Sequence, residues 1–351
     1  MVTMIQRMLL LVCLCLLLPA ASAQDMTIEE LAKAGTELLD GYSVEDLIEH
    51  LEIPTAEEWS DFWKSLQGAL QSGSLDDLSW LLPYVETASG FLKTVPQGEP
   101  YAAWLEQRLD YFDMARSVLK TVPGPVPETR PPVERAPGRF RLVPPPRPRS
   151  TPAPAAVSKR RIDTARSSAT WKQKLAGRPL PPNAKKLLPT LQNAFRSEGV
   201  PVQWVWLAEV ESTMNPAARS PVGAAGLYQF MIPTAERFGL QTRPVDERLV
   251  PDKSAHAAAR YLKVLYKQFN SWPLALAAYN AGEGRVGRLL KKSPAKTFEA
   301  IEDSLPVETQ MYVPKVMAVV AMREGVDPLK LPAPTAMQMP QGMFLVAWVF
   351  E

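Results

Sequence analysis

Cysteine and histidine are almost missing from this chain. Of 351 residues, two are cysteine (Cys13 and Cys15) and two are histidine (His50 and His256). Both cysteines lie in the first apolar run. Once that run is removed, the chain can form neither a disulfide nor a thiolate metal site. Two histidines so far apart in sequence make no local ligand pair, so zinc catalysis is not expected, nor any other metal or cofactor. A Ser-His-Asp triad is also disfavoured, because no serine sits in a strand-turn-helix elbow context. Charge of one sign is lacking too: 39 Lys and Arg against 37 Asp and Glu leave a formal net charge of +2. No alternating strand pattern of useful length appears, which excludes an all-β architecture.

The apolar run, Met8 to Leu18, follows Arg7 and precedes Pro19-Ala20-Ala21-Ser22-Ala23. It is too short to favour a membrane span, and Ala21-x-Ala23 fits signal-peptide cleavage before Gln24. Residues 1–23 are therefore expected to be a signal peptide. The mature chain is expected in the periplasm or cell envelope, with no transmembrane span and no nucleic-acid partner. Retention of the segment as an anchor is the alternative. Lipid attachment is disfavoured, because Val12 and Leu14 stand where a small residue should precede each cysteine.

Composition then divides the chain. Residues 24–121 carry recurrent helix-start pairs, Thr27 to Glu30, Ser43 to Asp46, Thr55 to Glu58 and Ser74 to Asp77. Apolar residues follow at helical spacing, as in Trp59, Phe62, Trp63, Leu66 and Leu70. This stretch is acidic, with 19 Asp and Glu against 6 Lys and Arg over residues 25–121. It reads as a small all-helical domain whose aromatics pack a core. Its acidity could dock it on an envelope protein partner or on the chain's own basic segments. Residues 122–158 hold twelve prolines between Pro123 and Pro154, punctuated by arginine. Such a segment favours extended polyproline geometry and reads as a spacer. Residues 159–331 form a second helical module, and 332–351 are a C-terminal tail.

One stretch of that second module carries chemistry. Trp204, Val205, Leu207, Ala208 and Val210 make an apolar helical segment, with Pro201 ahead of it and Pro216 beyond. Glu211 falls near its C-terminal end. The helix dipole and the apolar neighbours both disfavour the charged carboxylate and raise its pKa, as a general acid near neutral pH requires. A carboxylate on the polar side of the helix is the plain alternative. Glu209 is not the usual second carboxylate of a glycosidase, since residues two apart on a helix point to nearly opposite sides. It is expected at the surface or behind the site.

Four motif blocks surround Glu211. They are Glu211-Ser212 with Asn215-Pro216; Ser220-Pro221-Val222-Gly223-Ala224 leading into Gly226-Leu227-Tyr228-Gln229-Phe230-Met231; Ala278-Tyr279-Asn280-Ala281-Gly282-Glu283-Gly284-Arg285-Val286; and Leu305-Pro306-Val307-Glu308-Thr309-Gln310-Met311-Tyr312-Val313-Pro314-Lys315. In this order and spacing they resemble the catalytic domain of the soluble lytic transglycosylase family, with its goose-type lysozyme fold, and within it the membrane-bound transglycosylase D branch. The resemblance covers roughly residues 180–325.

The resemblance implies a mainly α, lysozyme-like catalytic domain acting on peptidoglycan glycan strands. Glu211 would be the single acid and base. Ser212, Ser220, Gln229 and Met231 would line the sugar subsites, and Tyr279 and Asn280 would border the cleft. Tyr312 would lie over the reacting centre, and Glu308 would meet the glycan or its peptide. The family's Gln-x-Met-Pro departs here to Gln229-Phe230-Met231-Ile232-Pro233, which leaves the following turn open. Two other functions stay in view. A hydrolytic muramidase or chitinase would draw its second carboxylate from Asp246, Glu283 or Glu308. A non-catalytic peptidoglycan-binding scaffold would act through the front module.

Overall fold

A computed structural model describes residues 56–72, 74–94, 98–122 and 155–335. The signal segment, the capping pairs at Thr27 and Ser43, His50, most of the proline-rich segment and most of the tail lie outside the described residues. Twelve α-helices and short 3-10 turns make up the described chain. Pairing among the described residues is limited to two antiparallel bridges, Arg219 with Ala225 and Ala225 with Phe230. The expected mainly α class is borne out.

The front part is α1 (Ala56–Gln71), α2 (Leu75–Leu92) and α3 (Glu99–Thr121). Trp59, Phe62, Trp63, Leu66 and Leu70 of α1 are all buried, so the helical stripe is core. Asp76 and Asp77 lie in the first turn of α2, where acidic charge suits the dipole. Ser74 precedes that helix without a side-chain cap. No helix of the described residues is long and apolar enough to cross a membrane.

The remaining helices are α4 (Ala155–Ala165), α5 (Ser168–Leu175), α6 (Ala184–Ser197), α7 (Leu207–Ser212), α8 (Ile232–Arg237), α9 (Pro251–Phe269), α10 (Trp272–Ala281), α11 (Glu283–Lys292) and α12 (Val307–Glu324). α4 begins at Ala155, so helix already covers the last residues assigned to the spacer. Thirteen of the 18 residues of α12 are buried, which makes it the central helix; α1, α5, α7 and α10 pack against it. Pro314 stands at its eighth position, in the interior. Its ring removes one N–H from the helix ladder there. Asn183 precedes α6 but does not cap it; its amide donates to the Met214 carbonyl at 3.1 Å.

The front helices are joined to the rest. The Val307 N–H donates to the Ser72 carbonyl at 3.0 Å, and α3 packs on α7. Acidic residues of the front meet basic residues of the back: Asp110 with Arg178 and Lys315, Asp76 with Arg161, and Asp113 with Lys174. Thus part of the acidity seen in residues 24–121 is matched within the chain.

Candidate active site

The segment holding Glu211 is two short pieces rather than one long helix. A 3-10 turn, Val202–Trp206, leads into the six-residue α7. All six residues of α7 are buried, beneath α3, α12 and the preceding 3-10 turn. Thr213 and Met214 then adopt left-handed backbone, φ 49° and 57°, which turns the chain sharply just after the carboxylate. Two groups hold that turn. Ser212 Oγ donates to the Leu227 carbonyl at 2.8 Å and to that of Ala208 at 3.1 Å. Gln107 of α3 donates from Nε2 to the Glu209 carbonyl at 3.2 Å and to Thr213 Oγ1 at 2.6 Å.

Glu211 is 6 % exposed. Tyr312 Oη donates to its Oε1 at 2.6 Å. Burial pushes its pKa up from the ordinary 4.5 to about 7, against the opposing effects of the Tyr312 hydrogen bond, Arg108 and Lys315; nearby Glu308 adds to the rise. The carboxyl therefore holds its proton to a higher pH than an ordinary glutamate. The phenols of Tyr279 and Tyr312 are themselves pushed up, first by burial and then by the Glu211 charge, so both remain donors.

Glu209 does face away from Glu211, but it is buried rather than at the surface. Arg323 binds it through two hydrogen bonds, Nη2 to Oε1 at 2.7 Å and Nε to Oε2 at 2.8 Å. Two of the three candidates for the second carboxylate of a hydrolytic site are also committed elsewhere. Asp246 is gripped by Arg248 at 2.9 Å and 2.8 Å, and Glu283 pairs with Arg237. Glu308 lies near Glu211 and opposite Arg108, with Arg108 Nε 3.6 Å from its Oε1.

The loop from Ser220 to Met231 is fixed by its small residues. Gly226 has φ +81°, and a Cβ there would meet the Arg248 carbonyl oxygen at 1.9 Å, so only glycine fits. Ser220 is buried, and its Oγ accepts from the Ala224 N–H at 2.8 Å. Arg248 Nη1 donates to the carbonyls of Gly223 (2.8 Å) and Phe230 (2.9 Å). Gln229, at φ +47°, donates from Nε2 to the carbonyls of Gly226 and Ala218, and its buried Oε1 has no partner among the described residues. Met231 is 43 % exposed beside it. Pro233 falls in the first turn of α8, which settles the turn after the departing Gln-x-Met-Ile-Pro pattern. Tyr279 Oη donates to the Tyr228 carbonyl at 2.8 Å, and Thr309 Oγ1 donates to Asn280 Oδ1 at 2.6 Å.

Sequence reasoning missed the residues that α3 brings. Lys315 is buried one turn beyond Tyr312, its Nζ 2.9 Å from both Asp110 Oδ2 and the Gln107 carbonyl. Burial pushes the Lys315 pKa down, and the Asp110 charge opposes that. Nothing in the sequence sets Gln107, Arg108 and Asp110 apart, since the same helix also carries Glu99, Glu106, Asp113, Arg116 and Lys120.

These elements define a helical domain in which a buried carboxyl of raised pKa, Glu211, meets a tyrosine donor beside a glycine-shaped loop. Comparison with known proteins places that domain. Residues 191–301 match the Transglycosylase SLT domain family. The chain is 39% identical over 127 residues to the membrane-bound lytic murein transglycosylase D of Escherichia coli (strain K12), covering 35% of this chain and 28% of that protein. It is 39% identical over 120 residues to the soluble lytic murein transglycosylase of Salmonella typhimurium (strain LT2), covering 32% and 19%. The match thus spans under a third of those relatives' length. The crystal structure of lytic transglycosylase Slt from Pseudomonas aeruginosa aligns over 92% of this chain and 69% of its own, at 18% identity and a TM-score of 0.39. The resemblance drawn from the four motif blocks is therefore borne out for the domain that carries Glu211.

Proposed function

We propose that this protein is an exported lytic transglycosylase that cleaves the β-1,4 bond between N-acetylmuramic acid and N-acetylglucosamine in peptidoglycan. The observation that carries the reading is a buried carboxyl, Glu211, whose pKa burial raises to about 7 and which Tyr312 addresses, whereas buried Glu209 is tied to Arg323. The SLT match over residues 191–301 supports the substrate class.

The chemistry follows from having one free carboxyl. Tyr312 occupies Oε1, which leaves Oε2 to carry the proton. Glu211 donates that proton to the 4-oxygen of the leaving sugar as the glycosidic bond breaks. Positive charge develops at the anomeric carbon, and the muramic sugar's own N-acetyl carbonyl stabilises it, while Glu308, the carboxylate near Glu211, faces Arg108. The Glu211 carboxylate then takes the proton of the same sugar's 6-hydroxyl, whose oxygen closes on the anomeric carbon as a 1,6-anhydro ring. The proton lost in the first step is recovered in the second, and water is not consumed. Intramolecular attack of this kind has a high effective molarity. Gln229 Oε1, a buried acceptor with no partner among the described residues, is suited to a hydroxyl or amide N–H of the glycan. Asn280, whose Oδ1 is taken by Thr309, keeps its N–H groups for an acetamido carbonyl. Met231 offers apolar contact at the loop's edge. Ser212 and Ser220 are buried, and their hydroxyls brace the chain around the site.

The test is mass spectrometry of soluble products from purified peptidoglycan with the full mature chain and a Glu211→Gln variant. Muropeptides about 18 Da lighter than hydrolytic ones, absent with the variant, are expected. Full-mass reducing-end products would instead make water the nucleophile and turn attention to Glu308. No product from either protein would leave a binding scaffold as the better reading.

A further inference from the structure

The mechanism above makes no use of a cation that α3 brings to the rim of the Glu211 site. Arg108 lies over the Trp104 ring, its guanidinium carbon 3.9 Å from the ring centre. Glu308 faces it, 3.6 Å from Nε, within ion-pair range but beyond a hydrogen bond. Glu308 is one helical turn from Tyr312 on α12, so Arg108 stands about a turn's length from the Tyr312–Glu211 hydrogen bond. The two side chains are each 13% exposed. Within the described residues, the guanidinium's one hydrogen bond is a long one, Nη1 to the Trp104 carbonyl at 3.4 Å, and Nε is buried with no acceptor.

That is an unusual way to keep an arginine. A guanidinium has five N–H donors in a fixed planar fork, and a mostly buried charge is ordinarily held by good hydrogen bonds. Here the ring fixes the plane, one flank carries Glu308, and the fork's donors are largely unused. Arginine in such a setting is matched to a planar, bidentate anion. Its positive charge beside the negative charge of Glu308 also complements a peptide, which offers N–H donors next to carboxylates.

We propose that Arg108 is a specificity residue that receives a carboxylate of the peptide stem borne by the muramic sugar, so that the front helices read the peptide while the SLT domain cleaves the glycan. This rests on the peptidoglycan reading given above. Glu308 takes an N–H of the same stem. Arg108 also acts on Glu211 through its charge, and any variant at 108 alters the acid itself; a ratio between two substrates removes that shared effect.

The experiment uses the full mature chain, wild type and Arg108→Gln, on two substrates: glycan strands carrying their stems, and the same strands stripped by an N-acetylmuramoyl-L-alanine amidase. The measured quantity is kcat/KM on stem-bearing strands divided by kcat/KM on stripped strands. The expected result is a roughly tenfold fall of this ratio in Arg108→Gln, carried mainly by KM, as loss of a charge-assisted bidentate contact implies. Arg108→Lys, which keeps the charge but not the fork, is expected to restore the ratio only in part. Cleavage of the stripped strands also reports that the variant is folded. An unchanged ratio, with both substrates slowed alike, would overturn the assignment and leave Arg108 as part of the electrostatics of Glu211. A wild-type chain that cleaves neither substrate would overturn the peptidoglycan reading and this proposal together.

Discussion

Replacing Glu211 by glutamine should stabilise the protein at every pH above about 4.5, by an amount that grows until about pH 7 and is constant beyond. Burial raises the Glu211 carboxyl from 4.5 to about 7 in the folded chain, while the unfolded chain keeps the ordinary value. Below pH 4.5 both states hold the proton, and the site costs nothing. Between 4.5 and about 7 the unfolded chain ionises while the folded chain resists, so stability falls as pH rises. Above about 7 the folded state must carry the buried charge. At about 1.4 kcal/mol per pH unit, the gap between 4.5 and 7 amounts to about 3 kcal/mol. Glutamine is neutral throughout and can still accept from Tyr312. Thermal melts of wild type and Glu211→Gln at pH 4, 6 and 8 test this. The two should melt together at pH 4. At pH 8 the variant should lead by roughly 6–12 °C, taking about 2–4 °C per kcal/mol for a chain of this size. A difference that does not change with pH, or a less stable variant at pH 8, would refute the account of Glu211 as a group held neutral by burial.

Four other outcomes can be checked. Tyr312→Phe removes a hydrogen bond that favours ionised Glu211; it should move the alkaline limb of kcat/KM upward by roughly one to two pH units, from near 7, and a downward move would contradict the geometry. Asp110→Asn takes the counter-charge from buried Lys315 and from Arg178, and urea unfolding should show a loss of about 3–5 kcal/mol. Gly226→Ala drives a methyl into the Arg248 carbonyl at a positive φ, and should cost more than about 1 kcal/mol while abolishing glycan cleavage by deforming the Gln229 loop. A fragment of residues 155–335 should melt well below the intact chain or fail to fold, because it loses Asp110 and Gln107; equal stability would show that α3 is dispensable.

What could be read in the sequence was the part governed by local rules. The helical stripe of α1 and the placement of Glu211 at the end of an apolar segment both depend on neighbours within a few residues. Glu209 shows where that reasoning stops. Its direction away from Glu211 follows from helix geometry, but its burial follows from Arg323, 114 positions away. Likewise Asn183 obeys a capping preference on paper, yet its amide goes to Met214, across a turn that no glycine announces. The left-handed Thr213 and Met214 lack any sequence mark, since their conformation is imposed by the contacts of Ser212 and Gln107.

The division of the chain by composition also differs from its division by charge. Residues 24–121 read as a separate acidic module, with a proline-rich segment behind it. Yet Lys315, three residues beyond Tyr312, is buried and would be a strongly unfavourable isolated charge without Asp110 of α3. Its Nζ also bonds the carbonyl of Gln107, whose side chain in turn holds the end of α7. The ion-pair and hydrogen-bond partners of the lysine, Asp110 and the Gln107 carbonyl, both come from the front helices rather than from α12 itself. The helix that presents Tyr312 and the helix that presents Glu211 are therefore each anchored to α3. A substitution in the acidic front that never touches a sugar should change the rate of glycan cleavage through those anchors, with Asp110→Asn affecting α12 and Gln107→Leu affecting α7. If both variants kept full activity while losing stability, the front helices would be a support for the domain and not for its active centre.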